Sequence, residues 1–179
     1  MQIELDVLRD VSNKLSTAGI DYMLTGSFAL TYYAEPRMTR DIDIVVALKP
    51  KDADLIIALF EPDYYVPRNA VVRAIASETL FNLIHNHEIM KVDFIIKKST
   101  EYRRLEFDRR RQVKIDDMTI WIVSKEDLII SKLYWARDSQ SELQLRDVRS
   151  LLRSGYDAVY LSEWTEKLGL DDLLKEVSK

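Results

Sequence analysis

The residue types and spacings in this chain that could carry chemistry are a pair of acids, a third acid further along, and a Gly-Ser step. Asp41 and Asp43 stand two apart at the start of a β-branched run, Asp41-Ile-Asp-Ile-Val-Val46. On a strand that spacing sends both carboxylates to one face, while Ile42 and Ile44 take the other and enter a core. Two same-face carboxylates repel each other, and each loses hydration if it is covered. A divalent cation resolves the conflict, and Mg²⁺ in particular favours a few carboxylate oxygens together with water and phosphate. Taken alone, such a pair reads more readily as solvated acids at a strand end. Asp93 adds to it, because it lies inside the apolar run from Val92 to Ile96, where a charge needs a partner. If the two strands are neighbours, three carboxylates converge, enough to hold two metal ions about 4 Å apart.

Gly26-Ser27 follows the short apolar run Tyr22-Met-Leu24. A glycine there lets the backbone turn tightly and approach a ligand closely. Ser27 then opens a helix whose free N–H groups and dipole favour a phosphate. The plainer alternative is an ordinary strand-turn-helix junction with a serine cap. The order of the pieces favours chemistry: phosphate-type turn, helix, acid pair on a strand, then an acid within a later strand.

These residues must be positioned by a mixed set of elements. Ile3, Val7, Leu8, Val11 and Leu15 recur at helical spacing, with Gly19 as the stop. Residues 22–24 read as a buried strand and 27–33 as a helix halted by Pro36. Residues 42–48 read as a strand, and Lys51 to Phe60 as a helix started by Pro50. Two strand pairs follow, 80–84 with 91–96 around His85-Asn86-His87, and 113–115 with 119–123 around Asp116-Asp117. From Ser124 the pattern turns helical, with Ser124 and Asp127 set as a capping box in form, then helices over 125–137, 142–153 and beyond Leu161. The expected fold class is α/β (α+β): a mixed β-sheet flanked by helices. Residues 1–123 would form the core carrying the acids, and 124–179 a helical part packed on it as one compact unit.

Gly26-Ser27, the Asp41/Asp43 pair and the later Asp93 together resemble the defining pattern of the polymerase-beta-like nucleotidyltransferases. The longer form R-x-T-x-D-I-D, from Arg37 to Asp43, resembles the branch that contains the nucleotidyltransferase toxins of bacterial abortive-infection (type IV toxin–antitoxin) systems and minimal relatives. The resemblance continues through residues 124–133 and 146–152, where Lys132 and Asp147 fall on the branch's helix lysine and following aspartate. It implies a catalytic and metal-holding triad of Asp41, Asp43 and Asp93, with Mg²⁺ or Mn²⁺, two ions together with a nucleoside triphosphate. It also implies nucleotide binding by Gly26, Ser27, Arg37, Thr39, Lys132 and Asp147. Lys132 would reach a triphosphate oxygen, and Asp147 would orient Lys132 or act as a base. Arg37 and Thr39 would contact phosphate or brace their loop, and Arg40 would balance the acid pair. The implied reaction is attack of a hydroxyl on the α-phosphate with release of pyrophosphate. The acceptor would be an RNA end or a protein, with a possible antitoxin partner; a small-molecule acceptor of the aminoglycoside type and a non-catalytic nucleotide-binding relative are the alternatives. The segment after Gly155 is short beside the C-terminal domain of the toxins, which leaves the acceptor surface open.

Composition bounds these readings. The 179 residues are 47% hydrophobic and 31% charged with four Gly and four Pro, so the chain is an ordered globular protein with a core. The absence of cysteine excludes thiolate metal sites and disulfides. No apolar stretch is long enough for a bilayer, and the acidic, amphipathic N-terminus is unlike a signal peptide, so a cytoplasmic location is expected. The net charge of −4 argues against a dedicated nucleic-acid binder. Lys97, Lys98, Arg103, Arg104, Arg109, Arg110, Arg111 and Lys114 nonetheless crowd one stretch, read as a solvated face or as a patch for a phosphate-rich partner. His85 and His87 read as solvated turn residues, the tyrosines 32, 33, 64 and 65 as core edges, and Trp121, Trp135 and Trp164 as packing.

Overall fold

A computed structural model describes residues 2–35, 39 and 41–179. Its described elements begin with helix α1 (Gln2–Thr17), strand β1 (Tyr22–Thr25), helix α2 (Gly26–Tyr33) and strand β2 (Asp41–Val46). A single 3-10 turn at Pro50–Asp52 leads into α3 (Ala53–Phe60), followed by β3 (Tyr64–Tyr65) and α4 (Arg68–Ser77). The hairpin β4 (Leu80–His85) and β5 (Lys91–Ile96) precedes α5 (Glu101–Asp108). A second hairpin, β6 (Arg111–Ile115) and β7 (Met118–Ile122), leads to α6 (Lys125–Ser139), α7 (Glu142–Leu152), α8 (Ala158–Lys167) and α9 (Asp171–Val177). The mixed-sheet α/β architecture agrees with the expectation from sequence.

The strands form one sheet in the order β3-β4-β5-β2-β1-β7-β6. β2 runs parallel to β5, and β1 parallel to β7, while the remaining neighbours are antiparallel. Side chains alternate as the β-branched sequence requires: Ile42, Ile44, Val92 and Phe94 are fully buried, and Asp41, Asp43, Lys91 and Asp93 occupy the opposite face. The buried face is tied together by edge-to-face aromatic contacts of Phe60 with Phe94 and Tyr64, and of Phe81 with Phe94. The Tyr64 hydroxyl donates to Asp10 of α1 at 2.8 Å, fixing the short edge strand to that helix.

Gly19 ends α1 in the left-handed region, φ +67°, with the Ile20 amide donating to the Leu15 carbonyl at 2.9 Å. Asp116 takes the same region at the β6–β7 turn. The sequence reading places neither β3, α4 nor α5. α4 was obscured because Val71 and Val72 interrupt a helical reading, and only Val71, Ala74 and Ile75 turn inward.

Part of the crowded basic stretch is built into the fold, while Lys98, Arg104, Arg111 and Lys114 are exposed. Arg103 meets Glu106 at 2.8 Å and donates to Ser131 of α6 at 2.7 Å. Arg109 donates to the fully buried Asp127 at 3.1 Å and stacks on Tyr160 at 3.7 Å. Arg110 pairs with Asp21 at 3.0 Å and lies over Phe107 and Trp121. The Asp127 carboxylate also accepts from Ser124, Tyr102 and Tyr160, so the capping pair expected at Ser124 and Asp127 joins α5, α6 and α8. Trp135, expected to pack, is instead 60% exposed, while Trp164 is buried as expected. Among the described residues no helix is long and apolar enough to cross a membrane.

Candidate functional site

The pairing register places four polar side chains in one row across the sheet. Thr25 of β1 faces Asp43 of β2, Asp43 faces Asp93 of β5, and Asp93 faces Asn82 of β4. Partners on adjacent strands lie about 5 Å apart and share a face. β2 and β5 are thus the neighbours that the sequence argument required. One step along, Asp41 is paired with Lys91.

Gly26 closes onto this row from above. It has φ +64°, and a Cβ built there would overlap Asp43 Oδ2 and sit 2.6 Å from Asp43 Cγ. Glycine is therefore required twice, by its dihedral and by the close approach. α2 starts at Gly26, so its N-terminal end meets the sheet at Asp43. Thr25, not Ser27, is the residue preceding that helix, and it makes no side-chain cap. Ser27 is the second helical residue, so the plain reading of a serine cap does not hold.

Asp43 carries the strain of the arrangement. Burial pushes its carboxyl up to about 6, and the charges of Asp93 and Asp41 push in the same direction, opposed by Lys132 and Lys91. The Lys91 ammonium lies 3.0 Å from Asp93 Oδ2 and 3.7 Å from Asp41 Oδ1. Asn82 Nδ2 donates to the other Asp93 oxygen at 2.5 Å. Among the described residues no three acidic, histidine or cysteine side chains converge on a single metal position. Asp41 is instead drawn toward Lys91 and remains half exposed, so convergence of the third carboxylate is not the arrangement seen.

The donor set nevertheless suits a hard divalent cation. Asp43 and Asp93 present carboxylate oxygens side by side, their mutual repulsion is registered at Asp43, and Asp41 is one sheet position away. These three acids are the residues that would hold such an ion.

From the helical side, Lys132 of α6 is 3% exposed and meets Asp147 of α7 at 2.7 Å, with Gln144 accepting a further bond at 3.1 Å. Its charge reaches Asp43, so the α6–α7 pair and the acid row belong to one electrostatic unit. Thr39 braces the start of β2: the Asp41 amide donates to its hydroxyl at 3.4 Å, and that hydroxyl lies 3.3 Å from the Asp41 carbonyl. Arg37 and Arg40 lie outside the described residues. His85 meets Tyr64 edge to face and accepts from the Glu88 amide, a structural use consistent with leaving it out of the site. The sequence reading missed Asn82 and Lys91. Lys91 was accessible in principle, since it stands two residues before Asp93 on one strand.

No protein-family model and no curated protein matches this chain. Solved structures do. The antibiotic-resistance factor ANT(2'')-Ia superposes with a TM-score of 0.62 at 11% identity, over 98% of this chain and 92% of that one. The lincosamide antibiotic adenylyltransferase LnuA, solved with lincomycin bound, gives 0.56 at 15% identity, over 84% and 96%. An antigenic nucleotidyltransferase-like protein from Paracoccidioides brasiliensis gives 0.58 at 17% identity, over 92% and 88%. At such identities the likeness is one of fold, and it spans nearly the whole of each chain: this protein has the nucleotidyltransferase fold.

Proposed function

We propose that the protein transfers a nucleoside monophosphate from a nucleoside triphosphate to a hydroxyl acceptor, with Asp41, Asp43 and Asp93 as its metal-holding acids. The observation that carries this reading is the contact of Gly26 with Asp43, which seats a helix N-terminus directly on a row of carboxylates. A helix N-terminus favours phosphate, whereas carboxylates repel it, and a bridging cation makes the two compatible. Bound at the acids, Mg²⁺ or Mn²⁺ would neutralise phosphate charge and lower the pKa of an attacking hydroxyl.

The chain's own groups supply the rest. The first turn of α2, with Ser27, binds phosphate oxygens through N–H and hydroxyl donors. Lys132, held by Asp147, brings a fixed ammonium to the same side and stabilises charge on the departing pyrophosphate. Asp147 acts here by orienting Lys132, since its Oδ2 is 2.7 Å from the ammonium. Asn82 fixes the rotamer of Asp93. Residues 1–123 contribute the acids and the turn, and residues 124–179 the lysine pair.

Two acceptor classes are supported by different observations. The motif resemblance favours an RNA end or a protein, in a toxin-like setting with an antitoxin. The antibiotic-modifying structural neighbours favour a small hydroxylated molecule. Arg103, Arg109 and Arg110 of the basic stretch are committed to internal acids, while Lys98, Arg104, Arg111 and Lys114 stay exposed, so both acceptor classes stand. The test is incubation with Mg²⁺ or Mn²⁺ and each α-³²P nucleoside triphosphate, offering total tRNA in one arm and aminoglycosides and lincosamides in another. Label transferred by the wild type and not by Asp41→Ala/Asp43→Ala establishes the reaction and names the acceptor. No transfer, together with equal nucleotide binding by both proteins, rejects the reading.

A further inference from the structure

Among the described residues, Lys91 is a group missed from the sequence whose ammonium meets two of the acids at once. Its ammonium is 3.0 Å from Asp93 and 3.7 Å from Asp41, and its Cα is the register partner of Asp41 on the adjacent parallel strand. Lys91 and Asp93 are spaced two apart on β5, so the side chain lies along the same sheet face rather than reaching in from a loop. It therefore occupies the direction in which Asp41 and Asp93 would have to turn to share a cation. Two of the three carboxylates are thus turned to one ammonium.

Resting on the nucleotidyltransferase reading, we propose that Lys91 is a built-in counter-ion that competes with the divalent metal for Asp41 and Asp93, so that metal entry requires its displacement. A competing ion that binds the same oxygens lowers metal affinity by the stability of its own pairing. The pairing is suited to exchange. The Lys91 side chain is 42% exposed and Asp41 54%, so the ammonium can swing into water at small cost, whereas Asp93, 15% exposed, stays in place. Lysine fits this use because its long stem lets the charge move while the strand stays still. Without metal the ammonium keeps the row from being a naked cluster of like charges. With metal it is released toward solvent on the open face of the sheet.

The experiment is Mn²⁺ binding, followed by electron paramagnetic resonance of free Mn²⁺, in wild type, Lys91→Gln, Lys91→Arg, Asp93→Asn and the surface control Lys98→Gln. Thermal melts of the same proteins in EDTA and in saturating Mn²⁺ give a second readout. Competition predicts that Lys91→Gln binds Mn²⁺ roughly two- to fivefold tighter, the scale expected for loss of a half-exposed pair. Lys91→Arg should bind no tighter than wild type, and Lys98→Gln should match it. Lys91→Gln should also melt lower than wild type in EDTA, with the deficit removed by Mn²⁺. Equal or weaker Mn²⁺ binding by Lys91→Gln, while Asp93→Asn abolishes it, overturns the competition and leaves the acid site standing. Mn²⁺ binding unaffected by Asp93→Asn overturns the acid site itself, and this inference with it.

Discussion

Gly26 and Asp43 are packed so closely that a methyl group on Gly26 would fall 2.6 Å from the Asp43 carboxyl carbon and 2.9 Å from its Cβ. Neither partner can yield easily, since Gly26 begins α2 and Asp43 is locked in register between Thr25 and Asp93. Gly26→Ala is therefore expected to do two things. It costs about 1–2 kcal/mol for an alanine in the left-handed region, and it pushes the Asp43 carboxylate away from the row. Nucleotidyl transfer should fall by at least about a hundredfold, the penalty of misplacing a reacting group by an ångström. Kinetics beside a urea melt would check this. A variant that loses stability but keeps its rate would show that the contact is structural only.

The Lys132–Asp147 pair separates stability from chemistry. Both side chains are almost fully buried and 2.7 Å apart, so removing one leaves the other charge without its nearest partner. Lys132→Met is expected to destabilise the fold by about 3–5 kcal/mol. Lys132→Met/Asp147→Leu should recover most of that loss, because the buried charge goes with it, yet should remain inactive. Chemical denaturation of the single and double variants measures the first effect and label transfer the second. An active double variant would remove Lys132 from the reaction.

How far the sequence carried the structure depends on whether the relevant physics is local. Alternation along one strand put Asp41 and Asp43 opposite Ile42 and Ile44, and turn chemistry marked Gly19, Gly26 and Asp116-Asp117. Asn82 was invisible because its role depends on which residue of β5 it faces, a register that the strand bounds alone do not fix. The fate of Arg103, Arg109 and Arg110 was likewise hidden. Their acidic partners, Glu106, Asp127 and Asp21, include residues on other elements, and only packing of α5 on α6 and the sheet brings those together. Trp135 sits on a helix buried over much of its length, so hydrophobicity alone pointed the wrong way.

That internal pairing makes its own prediction. Arg103 joins Glu106 and Ser131, and Glu106 is buried with its carboxyl raised by desolvation, an effect that the Arg103 charge opposes. Arg103→Met should therefore destabilise the protein by about 2–3 kcal/mol, less than a fully buried pair because Arg103 keeps some exposure. It should leave nucleotide affinity unchanged and make tRNA binding, if any, no weaker at fixed salt. Filter binding across a salt series would check the second half, and a clear loss of affinity would return Arg103 to a binding surface.

Asp43 gives the stability of the metal-free protein a pH dependence of definite sign. Its carboxyl is raised from 3.8 to about 6 by burial and by Asp93 and Asp41. Between those values the folded protein holds a proton that the unfolded chain has released, so folding binds protons and stability falls as pH rises through the window. Above about 6 the whole penalty is present, on the order of 3 kcal/mol. Asp43→Asn carries no such charge, so in EDTA it should match wild type near pH 3.5 and exceed it progressively up to pH 7. Other acids titrate in both proteins, which makes the difference between the two urea midpoints the informative quantity. A divalent cation favours the ionised carboxylate, so Mg²⁺ or Mn²⁺ should erase the wild-type deficit at pH 7 and do little for Asp43→Asn. A difference that does not grow between pH 4 and 6 would mean that Asp43 is better solvated or better paired than its place in the row implies.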